Sequence, residues 1–344
     1  MNDTEYFIGV DIGSERLAVS VLTRDPKTPV SSNCFDNNTD GFDKMLSWMN
    51  KRNVSSTNSI VCMESTGVYG QGLAYFLVTH RYRVCVEPPL KVKRAFPTHG
   101  HKNDITDSEH LAEYACRFYD ELHLWKPPDN VLEQLKTLLR TRQQLTRNKT
   151  SYYNNLTAMK RELVRTPMAE KMYTDLIEEL NNLIKRIDSE MKGLIDKHPF
   201  FNHRFRNLLS IPGVGLQLAS YMLVITNSTH DKLSARRLSA YLGMCPYECS
   251  SGKSVYKRPR SRKNGPGSIR KLLYLAALSL RTHDTNFKEY FIRKTRSGKS
   301  GKLVINNIAN KLLRIICAVI RSNKQYIDGY VSVHPRLLNT NVCA

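Results

Sequence analysis

Along the first third of the chain, short apolar runs alternate with stretches of helical spacing. Tyr6 to Asp11 (YFIGVD) and Leu17 to Thr23 (LAVSVLT) are rich in β-branched and aromatic residues, and Gly13-Ser14-Glu15-Arg16 between them reads as a hairpin turn. A third short strand is expected near Ser32 to Phe35. Phe42 to Met49 has helical spacing, Ser59 to Met63 (SIVCM) reads as a short buried strand, and Val68 to Val78 as a helix. Tyr82 to Val86 (YRVCV) is a further strand, stopped by Pro88-Pro89. Asp104 to Tyr119 follows as a helix with Leu111, Ala112 and Ala115 on one face. Strands mixed with helices predict a three-layer α/β domain over residues 1–128, closed by Lys126-Pro127-Pro128.

A different period then sets in. Leu135, Leu138, Arg142, Leu145, Lys149, Tyr152, Leu156, Met159 and Leu163 step by three and four, a heptad seam with two polar interruptions. After Pro167 a second series runs through Met172, Leu176, Leu180, Leu183, Ile187, Met191 and Leu194. Two long helices broken at Arg165-Thr166-Pro167 predict an antiparallel coiled-coil arm over 129–200, with an ordinary core helix pair as the alternative. Residues 201–330 read as a mostly α-helical domain and 331–344 as a tail. The helical domain opens with Leu208 to Thr226, where Pro212, Gly213 and Gly215 separate two apolar helices. That arrangement is similar to a helix-hairpin-helix, whose turn N–H groups meet a phosphate; a simple αα-turn is the alternative. Gly265-Pro266-Gly267 leads into an apolar helix, Ile269 to Leu280.

Charge narrows the function. The 344 residues carry a formal net charge of +21, unevenly spread. Residues 1–128 hold 14 Lys/Arg against 16 Asp/Glu, residues 129–200 hold 13 against 10, and residues 201–344 hold 25 against 5. So one-sided a segment neutralises phosphates and releases counterions, which makes nucleic acid the expected partner, ahead of a solubility surface or a membrane-surface patch. The longest apolar run, Leu272 to Leu280, is half a membrane span, and MNDTEYFIG lacks the basic and apolar regions of a secretory signal. Neither a membrane nor export is expected. Eight cysteines without C-x-x-C spacing argue against a zinc ribbon or disulfide scaffold and for a reducing, cytoplasmic setting.

Four carboxylates stand out. Asp11 ends the first strand and Glu64 directly follows the buried one, while Asp104 and Asp107, three apart at a helix start, share a helical face. Acids leaving adjacent strand ends and a nearby helix make an oxygen-rich cage of the kind Mg²⁺ prefers. Paired ions in such a cage activate a nucleophile and stabilise the leaving oxygen in phosphodiester chemistry. Taken singly, Asp104 and Asp107 also suit a helix N-terminus, and Asp11 a turn. The segment V-D-I-G-S also resembles the first phosphate loop of sugar kinases and actin-like ATPases, but no further Gly-rich loops follow. Gly252-Lys253-Ser254 and Gly298-Lys299-Ser300 lack the upstream Gly of a Walker A loop, so no nucleotide cofactor is expected.

From Ser250 to Lys271 the chain has eight Lys/Arg and no acid. Ser250 and Ser251 open this stretch. A serine hydroxyl becomes a nucleophile when its proton is removed or the developing charge is stabilised, and a cationic loop supplies the latter. The plainer alternative is a flexible basic loop whose serines only contact phosphate. Lys253, Lys257, Arg258, Arg260, Arg262, Lys263, Arg270 and Lys271 are the expected nucleic-acid contacts.

Together these pieces resemble a known family. D-I-G-S, M-E-S-T-G with Glu64, and K-N-D-I-T-D-S-E-H-L-A with Lys102, Asp104 and Asp107 are similar to the RuvC-like domain of DEDD transposases. The later I-P-G-V-G, Y-L-G-M-C-P-Y-E-C-S-S-G-K and the tail from Ile269 to Ile320 look like that family's companion domain. These are the transposases of insertion-sequence family 110, which includes the Piv-type DNA invertases. The resemblance implies a ribonuclease H-like first domain in which Asp11, Glu64, Asp104 and Asp107 hold Mg²⁺ or Mn²⁺, with Lys102 near nucleic acid. It also implies that Ser250, with Ser251 as second choice, attacks a DNA phosphate and forms a covalent phosphoserine. Donor and target DNA would be chosen by a structured guide RNA, the bridge RNA. Dimers assembling to tetramers would complete each active site from different protomers, in association with a prokaryotic nucleoid. One departure is that Lys253 follows Gly252 where many relatives have a second Gly. A Holliday-junction nuclease using only the metal site, and a site-specific invertase, remain as alternative functions.

Overall fold

A computed structural model describes residues 4–25, 30–65, 67–96, 103–228, 234–251, 255–261 and 265–328. Two compact units divide the chain, residues 1–127 and 128–344.

The first unit is built on a five-stranded sheet. Its strands are β1 (Tyr6–Ile12), β2 (Arg16–Thr23), β3 (Ser31–Asp36), β4 (Ser59–Glu64) and β5 (Arg83–Glu87), in the order β3-β2-β1-β4-β5. The first three are joined antiparallel as a meander, whereas β4 lies parallel to β1 and β5 parallel to β4. Parallel neighbours need crossover helices, and α1 (Thr39–Asn50) and α2 (Gln71–Thr79) supply them. Strand alternation then sorts the side chains. Ile8, Val10 and Ile12, with Val61, Met63 and Val84, pack on Phe42, Met45 and Leu73 of those helices. Phe7, Ile60, Cys62 and Cys85 face the other way, toward Val92 of α3 (Pro89–Ala95) and Leu111, Tyr114 and Ala115 of α4 (Asp104–Arg117). The result is the expected α/β arrangement of helices on both faces of a sheet.

Two local readings change. The helix expected from Val68 starts only at Gln71, with Val68 and Tyr69 exposed in the turn before it. Pro88-Pro89 does stop β5, but Pro89 also opens α3, because at a first helical position its missing N–H leaves no bond unmade.

The helical unit begins with an antiparallel pair, α5 (Asn130–Met159) and α6 (Pro167–Asp196). The two polar interruptions of the seam find partners across it. Arg142 donates Nε and Nη2 to the Asp188 carboxylate at 2.6 and 2.9 Å, and Lys149 Nζ donates to Asn181 Oδ1 at 3.1 Å. Val131, Leu132, Leu135 and Leu139 join Met191 and Ile195 in the core of this unit, so the root of the pair is an ordinary core element. Toward the connecting turn the apolar contact thins out. Leu163, placed by the heptad in the seam, lies beyond the end of α5 and is fully exposed.

The same core is completed by α7 (Pro199–Leu209), α8 (Leu216–Ser228), α9 (Ala235–Tyr241), α10 (Gly267–His283), α11 (Thr285–Arg296) and α12 (Gly301–Ser322). Within the basic stretch, read above as a cationic or flexible loop, β6 (Pro246–Ser251) pairs antiparallel with β7 (Val255–Ser261). By length and composition α12 is apolar enough to span a bilayer, a longer apolar segment than Leu272 to Leu280. Its stripe of Val304, Ile305, Ile308, Leu312, Ile316 and Val319 is buried in the helical core.

The tightest packing in the first unit is at Gly9, where α4 crosses β1. A Cβ there would lie 1.9 Å from the Ser108 carbonyl oxygen and 2.3 Å from the Ala112 nitrogen, so α4 can approach only because the side chain is absent. The Gly9→Ala variant is expected to lose about 3 kcal/mol or more in urea unfolding followed by circular dichroism. Gly193→Ala in α6, where an added Cβ meets nothing within 4 Å, should instead be neutral or gain about 0.5 kcal/mol.

Candidate functional site

The four carboxylates are gathered by the topology of the first unit. Val10 pairs with Met63 across the parallel β1–β4 register, so the next residues, Asp11 and Glu64, are neighbours at the same ends of adjacent strands. Both have the parity of Gly9 and Cys62, which places them on the face that α4 covers. The direction of α4 follows from its ends. Beyond its C-terminus, the Tyr119 ring meets Phe7 at 5.9 Å and its hydroxyl lies 2.9 Å from Thr4 Oγ1, over the start of β1. Its N-terminal turn therefore lies over the finish of β1, and carries Asp104 and Asp107 there. A buried hydroxyl contact, Ser20 Oγ to Ser108 Oγ at 2.6 Å, pins that turn to the sheet.

Local bonds fix the start of α4 and the end of β1. Asn103 caps α4 by accepting from the Thr106 N–H at 2.7 Å. Asp11 Oδ1 accepts from the Ile12 N–H at 3.0 Å. Asp104 is exposed, whereas Asp11, Glu64 and Asp107 are half-buried. All donors at this edge are oxygens, the chemistry that suits a hard divalent cation. Among the described residues, no three His, Cys, Asp or Glu side chains are clustered closely enough to hold a metal ion. The structure thus brings the four to one sheet edge without closing them around a point. Lys102 lies outside the described residues.

A fifth acid, Glu87, was not anticipated. It ends β5 in register with Glu64, is 5% exposed, and pairs with Lys91 Nζ at 3.1 Å. Tyr114 and Glu87 hold the Lys91 ammonium above its ordinary pKa, the tyrosine contributing most. The signal was in the sequence: V-C-V-E ends in an acid after an apolar strand just as V-C-M-E does. Between these strand ends, burial pushes the Cys85 thiol up to about 12, and Cys62 is raised further for the same main reason. Neither is a nucleophile at neutral pH.

In the helical unit the backbone places Ser250 and Ser251 at the end of β6, paired with Tyr256 and Val255 of β7. The side chains of 249–251, 255–258 and 260, which include Lys257, Arg258 and Arg260, lie outside the description, as do Lys253, Arg262 and Lys263 altogether. The two hairpin ends are fastened nearby. Arg270 Nη1 donates to the Leu242 and Gly265 carbonyls at 2.9 and 2.8 Å, so this guanidinium works as a clamp on the fold. Lys271 is exposed. At the turn between α7 and α8, Ile211 and Val214 are buried while Pro212, Gly213 and Gly215 are exposed. Gly213 has φ +79°, and a Cβ on it would come within 3.3 Å of the Ala276 carbonyl oxygen.

Known proteins resemble the chain in two successive stretches. Residues 8–164 match the DEDD-type IS110 model described as Transposase, and residues 205–291 match the one described as Transposase IS116/IS110/IS902 family. The chain is 27% identical over 335 residues to a "Pilin gene-inverting protein" of Moraxella lacunata, covering 94% of this chain and 98% of that one. Its counterpart in Moraxella bovis is equally similar. It is also 24% identical to the "Transposase for insertion sequence element IS1111A" of Coxiella burnetii, over 73% of this chain and 77% of that one. A paired-domain chain with these relatives is an enzyme of the DNA transposase/recombinase class. It belongs to the IS110 family, with both of that family's domains in order.

Glu87 gives a stability test that is independent of activity. Lys91→Met leaves a buried carboxylate without its counter-charge and should cost about 1–3 kcal/mol in urea unfolding. Adding Glu87→Gln to that variant should restore most of the loss.

Proposed function

We propose that this chain cuts and rejoins DNA through a covalent phosphoserine, with Ser250 as nucleophile and Ser251 as second choice. The observation that carries the reading is the convergence of Asp11, Glu64, Asp104 and Asp107 on one edge of a mixed sheet. Together with that sheet's topology, it supports a ribonuclease H-like, RuvC-type domain. The four carboxylates are the groups that would hold Mg²⁺ or Mn²⁺, side-chain rotation at the exposed first turn of α4 closing the set. Bound there, the cation would supply Lewis-acid polarisation of a phosphate and lower the cost of losing the serine proton.

The chain's own groups do the rest. Ser250 Oγ bonds to phosphorus, one P–O ester bond breaks, and the departing strand hydroxyl takes up the proton. Rejoining reverses the exchange with another strand's hydroxyl and releases Ser250. Each step swaps one phosphate ester for another, so no nucleotide cofactor is consumed. Lys253, Lys257, Arg258, Arg260, Arg262, Lys263 and Lys271, with the turn at Pro212, Gly213 and Gly215, would hold phosphates around the exchange. Lys102 would do so beside the carboxylates. The family resemblance supports guidance by a bridge RNA pairing with donor and target DNA. It also supports a coiled-coil role for α5 and α6 in dimers that pair into tetramers, with different protomers completing each active site.

A second reading concerns which sites are joined. The likeness to the pilin gene-inverting proteins runs through nearly the whole of both chains and favours inversion of a DNA segment by the same chemistry.

The decisive experiment incubates the purified protein with DNA, the element's flanking RNA and Mg²⁺, then runs denaturing gels. A protein–DNA adduct is expected, and peptide mapping should place it on Ser250 or Ser251. Ser250→Ala should abolish both adduct and joined product, and Asp11→Asn should abolish the product. If Ser250→Ala and Ser251→Ala both leave cutting intact, the chain is a metal-and-water nuclease of the junction-cutting kind instead. Cutting and joining that survive Asp11→Asn unchanged would remove the carboxylates from the mechanism.

A further inference from the structure

A groove of about 950 Å³ lies between α11, α12 and the segment that follows α12. Its volume is at the upper end of the roughly 300–1,000 Å³ typical of small-ligand sites. Phe287, Tyr290, Ile315 and Tyr326 form apolar walls, and Lys311 and Arg314 line it as well. Lys311 Nζ sits 3.7 Å above the centre of the Tyr290 ring, with Arg293 and Lys294 at 5.9 and 6.0 Å from the same ring. Among the described residues, none of these four cations is ion-paired to a carboxylate. Their crowding is felt: burial first, then Arg293, Lys294 and Arg314, pull the Lys311 pKa below its ordinary value.

The groove also has an acidic end. The Tyr326 hydroxyl is held above its ordinary pKa by burial, then by Asp328 and Asp284. Its backbone is fixed by the Tyr326 N–H donating to Ser210 Oγ at 2.8 Å. Unpaired cations beside aromatic walls match two parts of a nucleotide, the phosphate and the base face. An acidic peptide fits worse, because it offers no flat base for Phe287, Tyr290 and Tyr326 to cover. A double helix is too wide to enter a groove of this size, whereas a single unpaired nucleotide is not.

We propose that this groove binds an unpaired nucleotide of a DNA strand, with its phosphate against Lys311 and Arg314 and its base against Phe287, Tyr290 and Tyr326. The inference rests on the chain's being a DNA recombinase, but not on Ser250 or the carboxylates. Strand exchange transiently unpairs nucleotides, and a site for one of them would keep a freed end from drifting away.

The test uses the full-length protein and single-stranded oligothymidylate carrying a photoreactive 5-iododeoxyuridine. Crosslinks are expected on peptides spanning residues 284–327, a readout that needs no variant. In fluorescence anisotropy, Lys311→Glu combined with Arg314→Glu should weaken single-strand binding by about tenfold or more while changing duplex binding by less than about twofold. Tyr290→Ala should weaken single-strand binding by at least about fivefold, and Tyr290→Phe should leave it unchanged. Melting followed by circular dichroism verifies that each variant is folded. The Ser250→Ala protein should crosslink like the wild type, which separates this claim from the proposed chemistry. Crosslinks confined to other segments would overturn the assignment, as would folded variants binding like wild type. Oligouridylate binding ten times tighter than oligothymidylate at these residues would overturn the choice of DNA.

Discussion

The first unit depends on one close approach, the crossing of α4 over β1 at Gly9. No other residue type fits, because any Cβ would fall inside the backbone of Ser108 and Ala112. Helices normally ride above a sheet on a cushion of side chains; here the cushion is removed at one point. The N-terminal turn of α4 is thereby lowered onto the strand ends, and Ser20 and Ser108 lock it with a buried hydroxyl contact. Asp11 is two residues beyond Gly9, and Asp107 is one residue before Ser108. Their shared place at the sheet edge is a consequence of the backbone packing. A cage of like charges needs such a scaffold, since the fold must supply the energy that the charges withhold.

The helical unit answers with the opposite charge. Its core is apolar and its packing unremarkable, from the root of α5 and α6 to the buried stripe of α12. What distinguishes it is that the basic residues are left with few acids to pair with, so they are available to phosphate. The proposed serine sits at the end of β6, and Arg270 joins the Leu242 and Gly265 carbonyls on either side of the hairpin.

Much of the fold was legible in the order of residue types, and the exceptions share a cause. The hairpin at 13–16, the buried strand before Glu64 and the capped helix at Asp104 are local signals, and each forms where the pattern puts it. The two long helices also form, with Leu163 left outside α5; their polar positions Arg142 and Lys149 were visible, although Asp188 and Asn181 as their partners were not. The β6–β7 hairpin was hidden because V-Y-K-R-P-R-S has no apolar alternation; what makes it a strand is its pairing with β6. Gly9 gives no sign of its importance, because a glycine in a strand reads the same whether a helix presses on it or not. Glu87 ends its strand just as Glu64 does, but what sets it apart, burial to 5% exposure beside Lys91, exists only in the folded chain.

The proposed divalent-cation site draws its four carboxylates from β1, β4 and α4. Iron-mediated cleavage tests it most directly: Fe²⁺ replaces Mg²⁺, ascorbate and peroxide generate hydroxyl radicals at the bound ion, and mass spectrometry maps the cut backbone. The account predicts cuts clustered around residues 10–12, 63–65 and 103–108, suppressed by excess Mg²⁺. Cuts at only one of these segments, or none that Mg²⁺ suppresses, would contradict it.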